Sequence, residues 1–213
     1  RMPQMPPPVR QIVRDPNELR REAQGMFDKM IKHEDLAEME AEPSIIKTPL
    51  LPHQKQALQF MTDREHTAPA QAGQAPAFSL WKPERNARGH DVWVHVITGQ
   101  EEDKEPKSVY GGILADMMGL GKTLSILSLI AHTKREAEAF GQAQPPRSAN
   151  VERNAKTTVI ICPKSVMSNW QEQIKIHVAN KKLTYYNYHG SNRHQDLDEL
   201  AKYDIILTTY GTT

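Results

Sequence analysis

The stretch Gly111–Thr123, which has the sequence GGILADMMGLGKT, most strongly constrains what this 213-residue chain can fold into. Residues 113–115 form a short apolar run that predicts a buried strand, and Asp116–Gly121 forms a turn containing two glycines. Backbone N–H groups can converge on an anion in such a turn. Lys122 would place its charge against the β- and γ-phosphates of a nucleotide, and the Thr123 hydroxyl would coordinate Mg²⁺. The stretch therefore predicts a loop that binds nucleotide phosphates.

An apolar helix is predicted after this loop. It is apolar on most faces, so we expect it to be buried, with its N-terminus directing a partial positive charge at the phosphates. Its apolar positions are Leu120, Leu124, Ile126, Leu127, Leu129, Ile130 and Ala131. The loop departs from the general Gly-x4-Gly-Lys-Ser/Thr pattern, which has glycine where Asp116 stands. The structural alternative is a glycine turn that joins a strand to a helix and carries an incidental Lys-Thr pair.

Composition excludes several classes of protein. A single cysteine excludes an internal disulfide framework and fits a reducing compartment. The nine histidines are scattered and have no cysteine partners at ligand spacing, so we expect no zinc site. No apolar run reaches the roughly 18 residues of a membrane span, which predicts a soluble chain. Because the net charge is +1, any nucleic-acid site must be a local patch.

The chain is predicted to contain an extension and a domain with an insertion. Residues 1–44 are interpreted as an N-terminal extension, partly disordered, that begins with a proline-rich linker. It carries a helix that is capped by Asn17 or Asp15 and continues to about Met30. Residues 45–213 are interpreted as the domain, interrupted at 62–108 by an insertion whose aromatic and β-branched residues predict a small hairpin packed on it. Charges and two prolines within residues 136–156 predict a mobile surface loop.

Three apolar runs in the C-terminal half predict further strands. Thr157–Cys162 is rich in β-branched residues, which is typical of a parallel strand covered on both faces. Leu183–Tyr188 and Ile205–Leu207 predict two more strands, with a short helix over Asp196–Lys202 between them. Strands that alternate with helices predict an α/β fold with a mostly parallel sheet flanked by helices, and ligands at the carboxyl ends of the strands.

The loop and the segment upstream of it are similar to a known family. Residues 111–124 resemble the first helicase motif of the Swi/Snf-type ATPases of superfamily two, although most relatives have an acidic residue where Met117 stands. Leu51, His53 and Gln54 resemble the family's adenine-recognition motif, in which a glutamine amide offers both a donor and an acceptor to the base. Without this context, a glutamine at a helix start would simply be solvated. Residues 27–30, 35–40 and 50–61 resemble one branch of this family in particular, the helicase-like transcription factor group.

This resemblance implies a fold and a set of ligand-binding residues. The fold would be part of a RecA-like P-loop lobe. The residues that would bind ATP are Gln54, Asp116, Met117, Met118, Gly119, Leu120, Gly121, Lys122 and Thr123, and Thr123 would also hold Mg²⁺ through the nucleotide. Those that would bind DNA phosphates are Pro163, Lys164, Ser165, Arg193, Thr208, Thr209 and Tyr210. As alternatives to DNA contacts, Ser165 would cap a helix and Arg193 would be solvated. Trp170 is interpreted as a core residue.

The function implied by the resemblance is that of a nuclear, DNA-dependent ATPase. It would bind ATP and Mg²⁺ and translocate on double-stranded DNA in chromatin remodelling or DNA repair, with nucleosomes or repair proteins as further partners. We find neither an acidic Asp-Glu-x-His block nor a second lobe with its arginines, so we interpret the chain as the N-terminal part of the ATPase and expect it to be inactive alone. A non-catalytic, nucleotide-gated module that binds DNA or protein remains the alternative. A small-molecule kinase or GTPase would leave residues 163–170 and 208–210 unexplained.

Overall fold

The computed structural model describes most of the chain from residue 37 onward. The described residues are 17, 20, 21, 24, 37–65, 81–86, 89–95, 97–104, 106, 110–145, 153–191, 193–194 and 196–212. The proline-rich linker and most of the helix predicted from Asn17 lie outside them. Two compact units are present: residues 1–36 with 64–111, and residues 37–63 with 112–213. None of the helices in the described ranges is long and apolar enough to cross a membrane.

The larger unit is built on a parallel sheet of three strands, β4 (Thr158–Ile161), β5 (Tyr185–Asn187) and β6 (Ile205–Thr208). The order is β4-β6-β5, so β6 lies in the centre and is buried along its whole length. The three predicted strands and their parallel arrangement are therefore confirmed.

One face of β4 is not covered, contrary to the prediction. Val159 and Ile161 are 53% and 42% exposed, whereas Ile160 packs against the core. The reason is that the buried cluster of this unit lies on the side of Ile160, and the described residues leave the opposite face of β4 open. A β-branched run reports strand propensity, but it does not report what covers each face.

The helix after the glycine turn is α2 (Lys122–His132), and it is buried as predicted. Leu124, Leu127, Ile130 and Ala131 are among its buried residues. Leu120, however, precedes the helix and is 37% exposed, so its assignment to the buried line was wrong.

The strand predicted over residues 113–115 does not form. These residues have no regular structure, and Ile113 is 88% exposed. A strand is stable only when neighbouring strands satisfy its N–H and C=O groups, and no described strand pairs with this segment.

The other helices are α1 (Pro52–Glu65), α3 (Lys134–Gln142), α4 (Lys164–His177) and α5 (Leu197–Leu200). α3 corrects the predicted surface loop over residues 136–142, while the described residues 143–145 and 153–156 have no regular structure. The sequence of α3 favours a helix, and Lys134 forms an ion pair with Glu138 one turn later, at 3.2 Å. α4 is capped by Pro163, so Ser165 lies inside the helix and is not its cap. Trp170 packs against the core, as predicted.

The smaller unit contains an antiparallel sheet of β1 (Trp81–Arg85), β2 (Asp91–His95) and β3 (Glu101–Glu102). The β1–β2 pair is the hairpin predicted for the insertion. Val92 and Val94 are buried, and Trp81 packs edge-on against His95 with 4.9 Å between ring centroids.

A buried carboxylate connects four segments where the parallel strands begin. Oδ1 of Asp204 accepts hydrogen bonds from Nζ of Lys134, at 2.6 Å, and of Lys156, at 3.0 Å. Its Oδ2 accepts two more from the backbone N–H and the hydroxyl of Thr184, at 2.7 and 2.8 Å. Burial alone would raise the pKa of Asp204, but the hydrogen bond from Lys134, followed by those from Thr184 and Lys156, lowers it to about 2.

We predict that Asp204→Asn lowers the free energy of unfolding of this chain at pH 7 by about 2 to 4 kcal/mol, because two lysines then lose their carboxylate partner. Because the pKa is lower in the folded state, the stabilisation is complete above about pH 4 and disappears as the pH falls to about 2. Urea unfolding at several pH values measures both effects. Asp63→Asn, which changes an exposed carboxylate, is the matched control; an Asp204→Asn midpoint equal to that of wild type would contradict the prediction.

Candidate nucleotide-binding site

The glycine turn has the backbone conformation that its sequence predicts. Gly119 and Gly121 adopt φ angles of +87° and +79°, in the left-handed region that favours glycine. At Gly121 a Cβ atom would in addition lie 2.2 Å from Nε2 of Gln54, so the end of that side chain would have to move. At Gly119 the same atom would meet nothing within 4 Å. Two left-handed residues this close together turn backbone N–H groups towards one side, which makes an anion-binding concavity.

The first turn of α2 leaves its N–H groups available. Gly121 is the N-cap residue and provides no side-chain hydrogen bond. The N–H groups of the first helical residues therefore have no intrahelical acceptor, and the helix dipole favours negative charge there. This end of α2 matches a phosphate group in both hydrogen bonding and charge.

The direction of α2 places the turn far from Asp204. The helix ends at His132, two residues before Lys134, which binds Asp204 where β6 begins. Eleven helical residues span roughly 16 Å, so the glycine turn lies about that far from the amino ends of the strands. The turn therefore lies towards the carboxyl ends of the parallel strands, where ligands of such sheets bind.

Lys122 is bound by its own loop. Its Nζ atom donates hydrogen bonds to the carbonyl oxygens of Asp116, at 2.7 Å, and Met117, at 2.8 Å. The ammonium group thus closes the loop into a ring around itself. The side chains of Met117 and Met118 point away from it into solvent and are 77% and 96% exposed.

Gln54 joins α1 to the glycine turn. Its Oε1 accepts a hydrogen bond from the N–H of Leu51, at 2.9 Å, and so caps the first turn of α1. Its Nε2 donates to the carbonyl of Leu120, at 3.2 Å. Gln54 is only 5% exposed, so it is not a solvated residue at the start of a helix. An amide has two donors and two acceptor lone pairs, so one of each remains for a ligand.

His53 also binds the glycine turn, through a contact that the sequence did not indicate. Its Nε2 lies 3.1 Å from the carbonyl oxygen of Leu120, the same oxygen that Gln54 binds. Because a carbonyl only accepts, the ring proton must be on Nε2 in this contact. The available signal was the adjacency of His53 to Gln54 at the start of a helix, but the contact spans 67 positions.

The residues present fit a nucleotide-bound Mg²⁺ ion only in part. Thr123 is half-buried in the first turn of α2, and its hydroxyl makes no hydrogen bond within the described residues. It is therefore available to a metal ion that also binds phosphate oxygens. The described part of the chain contains no group of three or more His, Cys, Asp or Glu side chains that could hold a metal.

The residues proposed to bind DNA are not equally accessible. Pro163, Lys164 and Ser165 are exposed where β4 ends. Thr208 and Thr209 are 2% and 9% exposed at the end of β6, and the hydroxyl of Thr208 has no partner among the described residues. The next residue, Tyr210, is 73% exposed.

Arg193 is half-buried and is not simply solvated. Its Nη1 donates to the carbonyl oxygen of Gly190, at 2.8 Å, and its guanidinium lies 5.2 Å from the ring centroid of Tyr188. The buried Nε atom has no hydrogen-bond partner in the described part of the chain. Arg193 is thereby held beside the end of β5, since the N–H of Tyr188 binds Leu207 of the neighbouring strand.

Comparison with known proteins identifies the family. Residues 53–213 match the SNF2-related domain family. The chain belongs to this family. The chain is 34% identical over 207 aligned residues to a SWI/SNF-related matrix-associated actin-dependent regulator of chromatin, subfamily A member 3-like 1, of Arabidopsis thaliana, covering 81% of this chain and 22% of that protein. It is 30% identical over 196 residues to the DNA repair protein RAD5B of the same plant, covering 83% of the chain and 15% of that protein.

A third relative is the helicase-like transcription factor of Homo sapiens. It is 45% identical to the SNF2-related domain over 107 residues, which cover 49% of this chain and 9% of that protein. The chain thus spans about a fifth or less of the length of these three relatives. The resemblance to Swi/Snf-type proteins is confirmed, and so is the fold, because the parallel sheet flanked by helices is part of a RecA-like lobe.

Substitutions in the glycine turn test the contact with Gln54. We expect Gly119→Ala to lower the free energy of unfolding by about 1 kcal/mol, the cost of a left-handed alanine. Gly121→Ala should cost about 3 kcal/mol, because its methyl group also displaces Gln54. In a Gln54→Ala background the two glycine substitutions should cost the same. Urea unfolding measures all three comparisons, and equal costs in the wild-type background would contradict the contact.

Proposed function

We propose that this SNF2-related domain is the ATP-binding part of the first lobe of a DNA-dependent ATPase that translocates on double-stranded DNA. The observation that carries the proposal is the arrangement of Lys122 at the uncapped start of α2, beside two left-handed glycines. This arrangement provides a cation, converging N–H groups and a helix dipole at one point. Together these groups suit the phosphates of a nucleotide.

In this proposal, each group at the site binds a different part of ATP. The residual donor and acceptor of Gln54 read the adenine edge, and the turn Asp116–Gly121 surrounds the phosphates. Lys122 exchanges its two carbonyl acceptors for the β- and γ-phosphate oxygens, which form stronger, charge-assisted hydrogen bonds. The Thr123 hydroxyl, together with the phosphates, holds Mg²⁺, which neutralises charge that develops on the transferred phosphoryl group.

DNA would bind where the strands of the parallel sheet end. Lys164, Ser165 and Tyr210 are exposed there, and Arg193 is half-buried at the end of β5. Lysine, arginine and hydroxyl groups bind phosphates without reading the base sequence. We assign the direct contacts to these residues and to Pro163, and we assign Thr208 and Thr209 a supporting role because they are buried.

The names of the relatives support a cellular process for this activity. They include a regulator of chromatin and a DNA repair protein. We infer from these names that the full-length protein acts in the nucleus, in chromatin remodelling or DNA repair, with nucleosomes or repair proteins as partners.

The first test is ATP turnover by the full-length protein, measured with and without double-stranded DNA. We expect DNA to stimulate turnover, and Lys122→Ala to lower it at least about a hundredfold, because the phosphates lose their cation. Lys202→Ala, which changes an exposed lysine, is the control. Binding of ATP without any turnover would contradict the ATPase and favour a nucleotide-gated binding module.

The second test concerns the DNA surface. Lys164→Ala should weaken binding of the full-length protein to any duplex about three- to tenfold and reduce the slope of log affinity against log salt by about one, since one phosphate contact is lost. Thr208→Val should leave affinity and slope unchanged, because the hydroxyl is buried. Fluorescence anisotropy over a range of salt concentrations measures both. An effect of Thr208→Val without an effect of Lys164→Ala would overturn the assignment.

A further inference from the structure

A groove lies at the end of the parallel sheet opposite to the glycine turn. Its volume is about 520 Å³, and its lining comes from the segments where α4 ends and where β5 and β6 begin. Three lysines, Lys47, Lys175 and Lys181, belong to the lining, which includes no aspartate or glutamate. All three are exposed. The groove therefore has a positively charged rim.

Within the described part of the chain, these lysines have no carboxylate partner within ion-pair distance. Nζ of Lys47 donates to the backbone carbonyl of Lys175, at 3.2 Å, and this is a neutral acceptor. Burial, and after it the charge of Lys47, lowers the pKa of the neighbouring His177.

The inside of the groove is apolar and aromatic. Ile174, Val178 and Leu183 form its floor and are themselves 4 to 5% exposed. Tyr185 and Tyr203 are half-buried in its lining. Such rings present an apolar body and a polar edge, and aromatic side chains are enriched where proteins bind one another.

Lys181 has a strained backbone. Its φ angle is +59°, and it is the one non-glycine residue with a positive φ among those described. It lies in a turn closed by the hydrogen bond from the N–H of Lys182 to the carbonyl of Ala179, at 3.0 Å. Glycine would adopt this conformation without cost. Strained residues cluster at functional sites, so a lysine in this position at the rim of a groove points to a ligand.

We propose that this groove binds an acidic peptide segment of a partner protein, whose carboxylates contact the three lysines and whose apolar side chains enter between the tyrosines. Charge complementarity favours an anionic partner. The apolar floor favours a peptide over DNA, because the phosphates of DNA offer no apolar side chain to place there. The groove is separate from the nucleotide site, because none of its lining residues belongs to the glycine turn or to α2.

The experiment measures binding of the full-length protein to a fluorescein-labelled 12-residue peptide that repeats Asp-Glu-Leu-Glu. We expect Lys47→Glu, Lys175→Glu and Lys181→Glu each to weaken binding about fivefold, and the triple variant about thirtyfold or more. Lys182→Glu is the matched control, because Lys182 is exposed beside Lys181 but does not line the groove. It should bind the peptide as wild type does. Replacing the leucines of the peptide by serine should also weaken binding.

Lys181→Gly separates binding from folding. This variant should raise the thermal unfolding temperature, because the strain is relieved, and should still lose peptide affinity about fivefold. Unchanged peptide affinity in Lys181→Gly and in the triple variant would overturn the proposal. So would loss of affinity for a 20-base-pair duplex in the triple variant with peptide binding intact, which would make the groove a DNA surface. ATP turnover in the absence of peptide should be the same in the triple variant as in wild type.

Discussion

Parallel pairing on both edges of β6 is the constraint on which the larger unit depends. Because β4, β5 and β6 all run in the same direction, the chemistry of the unit separates into two ends. Where the strands begin, Asp204 connects two lysines and Thr184 to the sheet. Where they end, exposed polar residues project beyond the sheet. α2 runs between the two ends. Because its apolar face is buried in the core, it holds the glycine turn at its N-terminus in place.

The glycine turn is a closed arrangement held by two kinds of contact. The ammonium group of Lys122 binds two carbonyls of its own loop, and His53 and Gln54 bind the carbonyl of Leu120. Each contact gives a hydrogen-bond partner to a polar group of the loop that would otherwise need water or a ligand as its partner. In the proposed function, a nucleotide phosphate displaces the first pair of contacts, while the second pair connects the adenine side of the site to the phosphate side. Tight packing of Gln54 against Gly121 means that movement of one requires movement of the other.

Local patterns predicted much of this structure, and contacts between distant residues account for the rest. The buried helix after Lys122 and the strand over Ile205–Leu207 follow from apolar periodicity and β-branched content, which depend on near neighbours. The strand over residues 113–115 was predicted in the same way and was wrong, because a strand also needs partners that its own sequence does not specify. Likewise, Asp204 binds lysines 70 and 48 positions away, and no local pattern indicates such a pairing. The left-handed turn at Gly119 and Gly121 was predictable from its glycines, whereas the contact of His53 with Leu120 was not.

The most direct measurement of the central claim is the affinity of the full-length protein for ATP, ADP and AMP in the presence of Mg²⁺, by titration calorimetry. If the glycine turn and Lys122 bind the β- and γ-phosphates, ATP and ADP should bind at least about a hundredfold more tightly than AMP, and Lys122→Ala should remove most of that difference. Equal affinities for ATP and AMP, or an undiminished difference in Lys122→Ala, would contradict the account.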